Sequence, residues 1–157
     1  METRIFLRHT LATLAYRAAK ALREAPESYA SFRPAEGSRS PIEILGHMGD
    51  LMDWALHSAK GKPVWKNSPP MAWEKECQRF FQSLSAFDEY LASREPLGFP
   101  AEQLFQGAVA DALTHTGQLN YLRRLAEAPI RAENYFKADI EVGRVTEAQA
   151  AARVEFD

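Results

Sequence analysis

Three polar residues stand where a buried helical face calls for apolar ones, and their types suit a metal ion. His47 lies between Ile44 and Leu51 in one periodic stretch. Asp111 and His115 lie four residues apart in another, on the side shared by Leu104, Ala108, Leu122 and Leu125. An i, i+4 pair stacks on one helix face, with a rise of about 6 Å between the two Cα atoms. That spacing lets two side chains of one helix grip a metal. His47 from a facing helix then completes three protein ligands. Three ligands and an open position are the arrangement of a catalytic site, not of a closed structural one. The chemistry would be Lewis-acid work by one divalent ion, holding a thiolate for transfer or activating water for hydrolysis. Desolvation points the same way: an unpaired carboxylate on an inward face needs a cation or donors, which one ion shared by the three residues would supply. The plainer alternative is a set of core histidines and a buried Asp111–His115 hydrogen-bonded pair.

Other residues are candidates for supporting parts. Gln118 follows His115 by one turn and is a candidate to donate a hydrogen bond that supports it, or an ordinary flank residue. Asp50 follows His47 by one turn and is a candidate to orient its imidazole, or a solvated flank carboxylate. His9 falls off the Leu7–Leu11–Leu14 stripe and reads as a surface residue, and His57 reads as a rim residue. Cys77 sits in an aromatic seam and reads as a small buried hydrophobe rather than a nucleophile. Arg123 and Arg124 favour the dipole at a helix C-terminus.

Four long helices must position these groups. The first spans about Thr3 to Glu24, with Leu7, Leu11, Leu14, Ala18 and Leu22 on one face. Pro26 and Pro34 punctuate the linker. The second opens at Ser40, with Pro41 in the first turn and Glu43 completing a capping box, and ends at Gly61 and Pro63. The third starts near Ser68, Pro69 and Pro70 and carries the seam Trp73, Cys77, Phe80, Leu84, Phe87 and Leu91. The fourth starts at Pro100 and runs to Ala128, where Pro129 stops it. Residues 129–157 have no long period. They read as a tail of the same domain, packed over the 1–128 bundle by Ile140, Val142, Val145, Val154 and Phe156. Thr146 and Gln149 would cap one short helical turn there. No strand-turn-strand signal is present, so the fold class is all-α.

Composition narrows the function. The 157 residues suit one domain. Nineteen Lys+Arg against 21 Asp+Glu give a net charge of -2, so no global field draws nucleic acid or an anionic membrane. No apolar run approaches the ~18 residues of a membrane span. Arg4, Arg8 and Arg17 break any signal-peptide layout, and one cysteine excludes a disulfide framework or a multi-Cys zinc site. The expected location is the reducing cytoplasm. A di-iron bundle needs two Glu-x-x-His pairs, whereas Glu43 precedes His47 by four. Nucleophile-elbow, phosphate-loop and Rossmann patterns are missing too.

The stretch Ile44-Leu45-Gly46-His47-Met48-Gly49-Asp50-Leu51 resembles the first metal-histidine helix of the DinB/YfiT-like superfamily. The stretch Asp111-Ala112-Leu113-Thr114-His115-Thr116-Gly117-Gln118-Leu119 resembles its last bundle helix, where the usual pattern is His-x-x-x-His-x-Gly-Gln. Glu133-Asn134-Tyr135-Phe136 and Val154-Glu155-Phe156-Asp157 are similar to one branch of that family. The resemblance implies a four-helix bundle of up-down-down-up topology and a three-histidine site for nickel, zinc or a related divalent ion. It also implies homodimers and a small-molecule substrate. Characterised members include an isomerase and transferases of low-molecular-weight thiols such as bacillithiol or mycothiol. Asp111 departs from the pattern by standing at the first histidine. A carboxylate is a harder ligand, tilting the site toward iron or manganese, and it cancels one unit of metal charge.

Three functional expectations follow. The first is a metal-dependent transferase or hydrolase with His47, Asp111 and His115 as ligands. The second is a catalytically degenerate helical module whose aromatic pocket, lined by Trp65, Trp73 and Tyr121, binds a ligand or partner. The third takes two histidines and one carboxylate as an iron oxygenase site.

Overall fold

The computed structural model describes residues 2–156, and among them four long helical segments make the body. The first is α1 (Glu2–Leu22), followed by a single turn, α2 (Glu27–Ala30), that the linker prolines did not announce. The second is α3 (Pro41–Ala59) and the third α4 (Trp73–Ala92). The fourth is a continuous rod of α5 (Ala101–Leu104), a π-turn (Phe105–Val109) and α6 (Ala110–Leu125).

The start of α3 follows its sequence signal. Ser40 caps it, Pro41 opens it, and the Ser40 amide donates to Glu43 Oε2 at 2.7 Å. Several boundaries differ from the periodicity. α1 stops at Leu22 because the chain turns into the left-handed region at Glu24, with φ 51°. α4 starts at Trp73 rather than near Ser68, since Pro70 holds the residue before it extended. α6 stops at Leu125, and Glu127 has φ 58°. There the buried Arg123 closes the end: its Nε donates to the Ala128 carbonyl at 2.6 Å, its guanidinium facing the Tyr29 ring at 5.5 Å. In the π-turn the Ala110 amide bonds the Phe105 carbonyl five residues back. No apolar period reveals such a turn.

α1 packs on α4 and on α6, and α3 packs on α4 and on α6. Phe80, Leu84, Phe87 and Leu91 of α4 meet Leu11, Leu14, Leu45, Met48 and Met52 in one core. The contacts between ends are specific. Arg8 near the start of α1 forks onto Asp88 near the end of α4 at 2.9 and 2.8 Å. Arg79 in the first half of α4 bonds Gly46 and Asp50 in the first half of α3. The Gly98 amide before α5 donates to the Ala59 carbonyl ending α3, at 2.8 Å.

The tail holds a two-stranded antiparallel pair that its sequence did not signal. It joins β1 (Ala132–Glu133) and β2 (Glu155–Phe156), with Ala132 opposite Phe156. Strands of two residues are too short to leave an alternation. The tail's anchor is also polar. Glu133 is buried and accepts from Tyr16 Oη at 2.5 Å and Lys20 Nζ at 2.7 Å, and Lys20 also bonds Glu155 at 2.7 Å. Val145 joins the core, whereas Phe156 is exposed. Thr146 and Gln149 form no helical turn, and Gln149 Nε2 donates to the Thr146 carbonyl instead. No helix among the described residues is long and apolar enough to cross a membrane.

Candidate metal centre

The α3–α6 contact brings His47, Asp111 and His115 together, with one ligand atom from each inside a 4.8 Å group. His47 Nε2 is 3.5 Å from Asp111 Oδ2, and His115 Nε2 is 3.4 Å from Asp111 Oδ1. The two imidazoles meet edge to face, with centroids 4.9 Å apart. An N–H···O hydrogen bond spans about 2.7–3.2 Å, so these pairs are too far apart for good ones. Two ligands each about 2.0–2.1 Å from a tetrahedral ion stand roughly 3.3–3.4 Å from one another. Both distances are close to that separation, His47 approaching Oδ2 of Asp111 and His115 its Oδ1.

One expectation about the site needs correcting. Asp111 is not buried: its side chain is 44% exposed. The buried seam of α6 runs through Ala112, Thr116 and Leu119, each one residue beyond or further round than Asp111 and His115. One residue is about 100° of rotation. His47 likewise precedes the buried Met48 on α3. All three side chains therefore stand on helix flanks that face each other at the mouth of the groove. Leu125, expected on the same inner side, is exposed. Solvent reaches the Asp111 carboxylate, so desolvation alone does not demand a cation there.

Gln118 supports His115, but as an acceptor rather than a donor. Its Oε1 lies 2.8 Å from His115 Nδ1. An amide oxygen only accepts, so Nδ1 is the donor in this contact, and in the neutral ring Nε2, the atom nearest Asp111, is the one with a lone pair to offer. Asp50 does not orient His47. Its buried carboxylate accepts from Arg79 Nη1 at 2.7 Å and from the Ser68 amide at 3.1 Å.

Arg79 is the polar residue that periodicity missed. It bonds Asp50, Glu76 Oε2 at 2.9 Å and the Gly46 carbonyl at 2.6 Å. Burial pulls its pKa down, but the two carboxylates outweigh that and hold it above the ordinary value. Glycine at position 49 makes the approach possible, since a Cβ there would lie 2.9 Å from Arg79 Cζ. Glu76, fully buried, also accepts from the Met71 amide at 3.1 Å. This network pins the segment 62–72, which follows the turn at Lys60 and Gly61 and lays Trp65 against His47 with ring centroids 5.5 Å apart. The only sequence signal was Glu76 and Arg79 at i, i+3 beside the aromatic seam.

A cavity of about 260 Å³ with a mixed wall flanks His47, lined by Arg39, Ile42, Glu43, Asn67, Ser68 and Pro70. Arg33 and the Ser40 amide hold the Glu43 carboxyl down at about 2. Another hollow flanks His115, with Gln118, Tyr121 and again Arg39 in its wall. Trp73 is not part of either, because it packs edge to face on Tyr29 at 5.6 Å. His9 is exposed, and His57 Nδ1 meets the Asp53 carbonyl at 2.8 Å, away from the cluster. Burial, helped by nearby glutamates, pushes the Cys77 thiol up to about 12, which suits a buried hydrophobe rather than a nucleophile.

Burial lowers the His47 pKa, the charges of His115 and Arg39 lower it further, and Asp111 opposes them. A depressed histidine takes up its proton less readily folded than unfolded. Its contribution to stability is therefore full above about 6.5 and is lost as pH falls through that value toward the folded pKa. In the metal-free protein, an NMR titration of the His47 ring should give a midpoint below the ordinary value. Arg39→Gln should raise that midpoint and Asp111→Asn should lower it. A midpoint at or above the ordinary value would contradict this electrostatic picture.

Compared with protein-family models, with curated proteins and with solved structures, the chain finds no match.

Proposed function

We propose that the chain is a DinB/YfiT-like metalloprotein in which His47, Asp111 and His115 hold one divalent ion. The observation that carries this reading is the 3.4 and 3.5 Å spacing of their ligand atoms, with His115 Nε2 left free by Gln118. The contacts between helix ends favour a four-helix bundle of up-down-down-up order. The start of α1 meets the end of α4, the starts of α3 and α4 lie together, and the end of α3 meets the start of α5. The segment 60–72 has the length for the crossover this needs. After the turn at Lys60 and Gly61, the eleven residues 62–72 can reach roughly 36 Å, against about 28 Å for a 19-residue helix.

Two imidazoles and one carboxylate fit nickel, zinc, iron or manganese, and the carboxylate leans toward the last two. A bound ion would supply Lewis-acid chemistry, lowering the pKa of a thiol or water brought to it. The side chains do the rest. Gln118 fixes the His115 tautomer, burial favours the neutral form of His47, and Asp111 would offset part of the ion's charge, which moderates that acidification. The reaction class is transfer of a low-molecular-weight thiol to a small electrophile, or hydrolysis, in a homodimer.

The test is conjugation of cysteine to monochlorobimane by protein loaded in turn with each of the four metals. Turnover should exceed that of the chelated protein and fall away in His115→Ala. Conjugation indifferent to both chelator and His115→Ala would defeat the enzymatic reading and leave a helical binding module.

A further inference from the structure

A second cavity, of about 400 Å³, opens along the same two helical segments. That is within the usual range for a small-molecule site. Its walls are mainly apolar: Trp54 and Ser58 from α3, Leu104 and Gly107 from the fourth segment, and Pro63 and Phe99 from the flanking loops. The π-turn forms one side of it, and π-turns inside α-helices are frequent at functional sites. Gly107 keeps the wall thin. A Cβ there would come within 3.3 Å of the Trp54 ring.

Gln103 and Gln106 stand on its exposed rim, and Ser58 is the buried polar residue of this wall. It is only 4% exposed, and its Oγ has no hydrogen-bond partner among the described residues. A helical hydroxyl commonly bonds the carbonyl four residues back, as Thr116 does to Ala112 at 2.9 Å. Ser58 makes no such bond, and a buried unpaired hydroxyl is costly unless something supplies a partner.

The cavity also adjoins the candidate metal centre. Trp54 follows His47 by seven residues on α3, about 10 Å along the axis, and Gly107 precedes Asp111 by four. Trp65 bridges them, its ring 6.4 Å from Trp54 and 5.5 Å from His47. Flat aromatic walls favour an aromatic guest in edge or offset contact.

The geometry points to this cavity as the binding site for an aromatic ring carrying one hydrogen-bonding substituent, the apolar body of the substrate. Ser58 pairs with the substituent, and the reactive end of the molecule extends past Trp65 toward His47, Asp111 and His115. Only that last clause rests on the metal reading; occupancy of the cavity does not.

The probe is p-cresol, titrated into the full chain with and without metal and followed by the amide NMR signals of Gly107 and Ala108. Saturable shifts at these amides are expected in both forms. Gly107→Ala, and independently the exposed rim change Gln103→Trp, should weaken binding about tenfold or more. Ser58→Ala should weaken p-cresol while leaving toluene unchanged. Shifts that never saturate, or that centre elsewhere, would overturn the assignment. So would equal affinity in Gly107→Ala and Gln103→Trp. Saturation here by a protein that binds no metal would sink the metal reading and leave the cavity assignment standing. Normal metal binding without saturation would do the reverse.

Discussion

Arg79→Ala is expected to cost about 3–5 kcal/mol of stability, among the larger losses a single change in this chain can cause. The loss comes from what is left behind. Asp50 and Glu76 would both remain buried as carboxylates without the guanidinium that bonds them. For a chain of this size each kcal/mol shifts Tm by roughly 2–4 °C. Arg79→Lys keeps the charge but loses the fork that reaches Asp50, Glu76 and the Gly46 carbonyl together, so it should fall between the two. Asp50→Asn should partly rescue Arg79→Ala, because it removes one of the stranded charges. The exposed Arg33–Glu43 pair is the control. Breaking it through Arg33→Ala should change stability by about 0–1 kcal/mol. Denaturant melts of the four variants check this, and a cost for Arg79→Ala no larger than the control's would contradict it. Amide exchange should quicken at Ser68 and Met71, whose N–H groups donate to Asp50 and Glu76.

The second large effect is on metal affinity. Removing a partner that only orients a ligand typically costs about 10–100-fold, which is the expectation for Gln118→Ala. Removing a ligand should cost more, so His47→Ala, Asp111→Ala and His115→Ala should each weaken binding beyond that range. His57→Ala should leave it unchanged, since His57 faces the Asp53 carbonyl. Competition titrations against a chromophoric chelator would read the order. Equal affinity in His115→Ala and the parent would remove His115 from the site.

Much of this frame is legible in the residues. The Leu7–Leu11–Leu14–Ala18–Leu22 stripe and the Phe80–Leu84–Phe87–Leu91 seam are both buried. Ser40, Pro41 and Glu43 mark a helix start because each satisfies a local need of that terminus. The nearness of His47, Asp111 and His115 is signalled by polar residues next to two such stripes, although they stand on the flanks and not within the stripes. The depth of Asp111 does not follow. A face drawn from Leu104 through Asp111 to Leu125 assumes an unbroken α period, and the π-turn at Phe105–Val109 departs from it. Arg79 was hidden for another reason. Its partners are two turns of another helix and a neighbour three residues back, a combination that exists only after α3 and α4 pack. The β1–β2 pair is held by Glu133 and Glu155 on Lys20, contacts that bring residues more than a hundred positions apart together.

The proposed site holds a divalent ion only if His47, Asp111 and His115 bind it together. The most direct test is elemental analysis of protein purified without added metal and without a histidine-rich tag. Near-stoichiometric divalent metal in the parent, lost from both His47→Ala and Asp111→Ala, is the predicted result. A parent that carries no metal and takes up none on titration would contradict it.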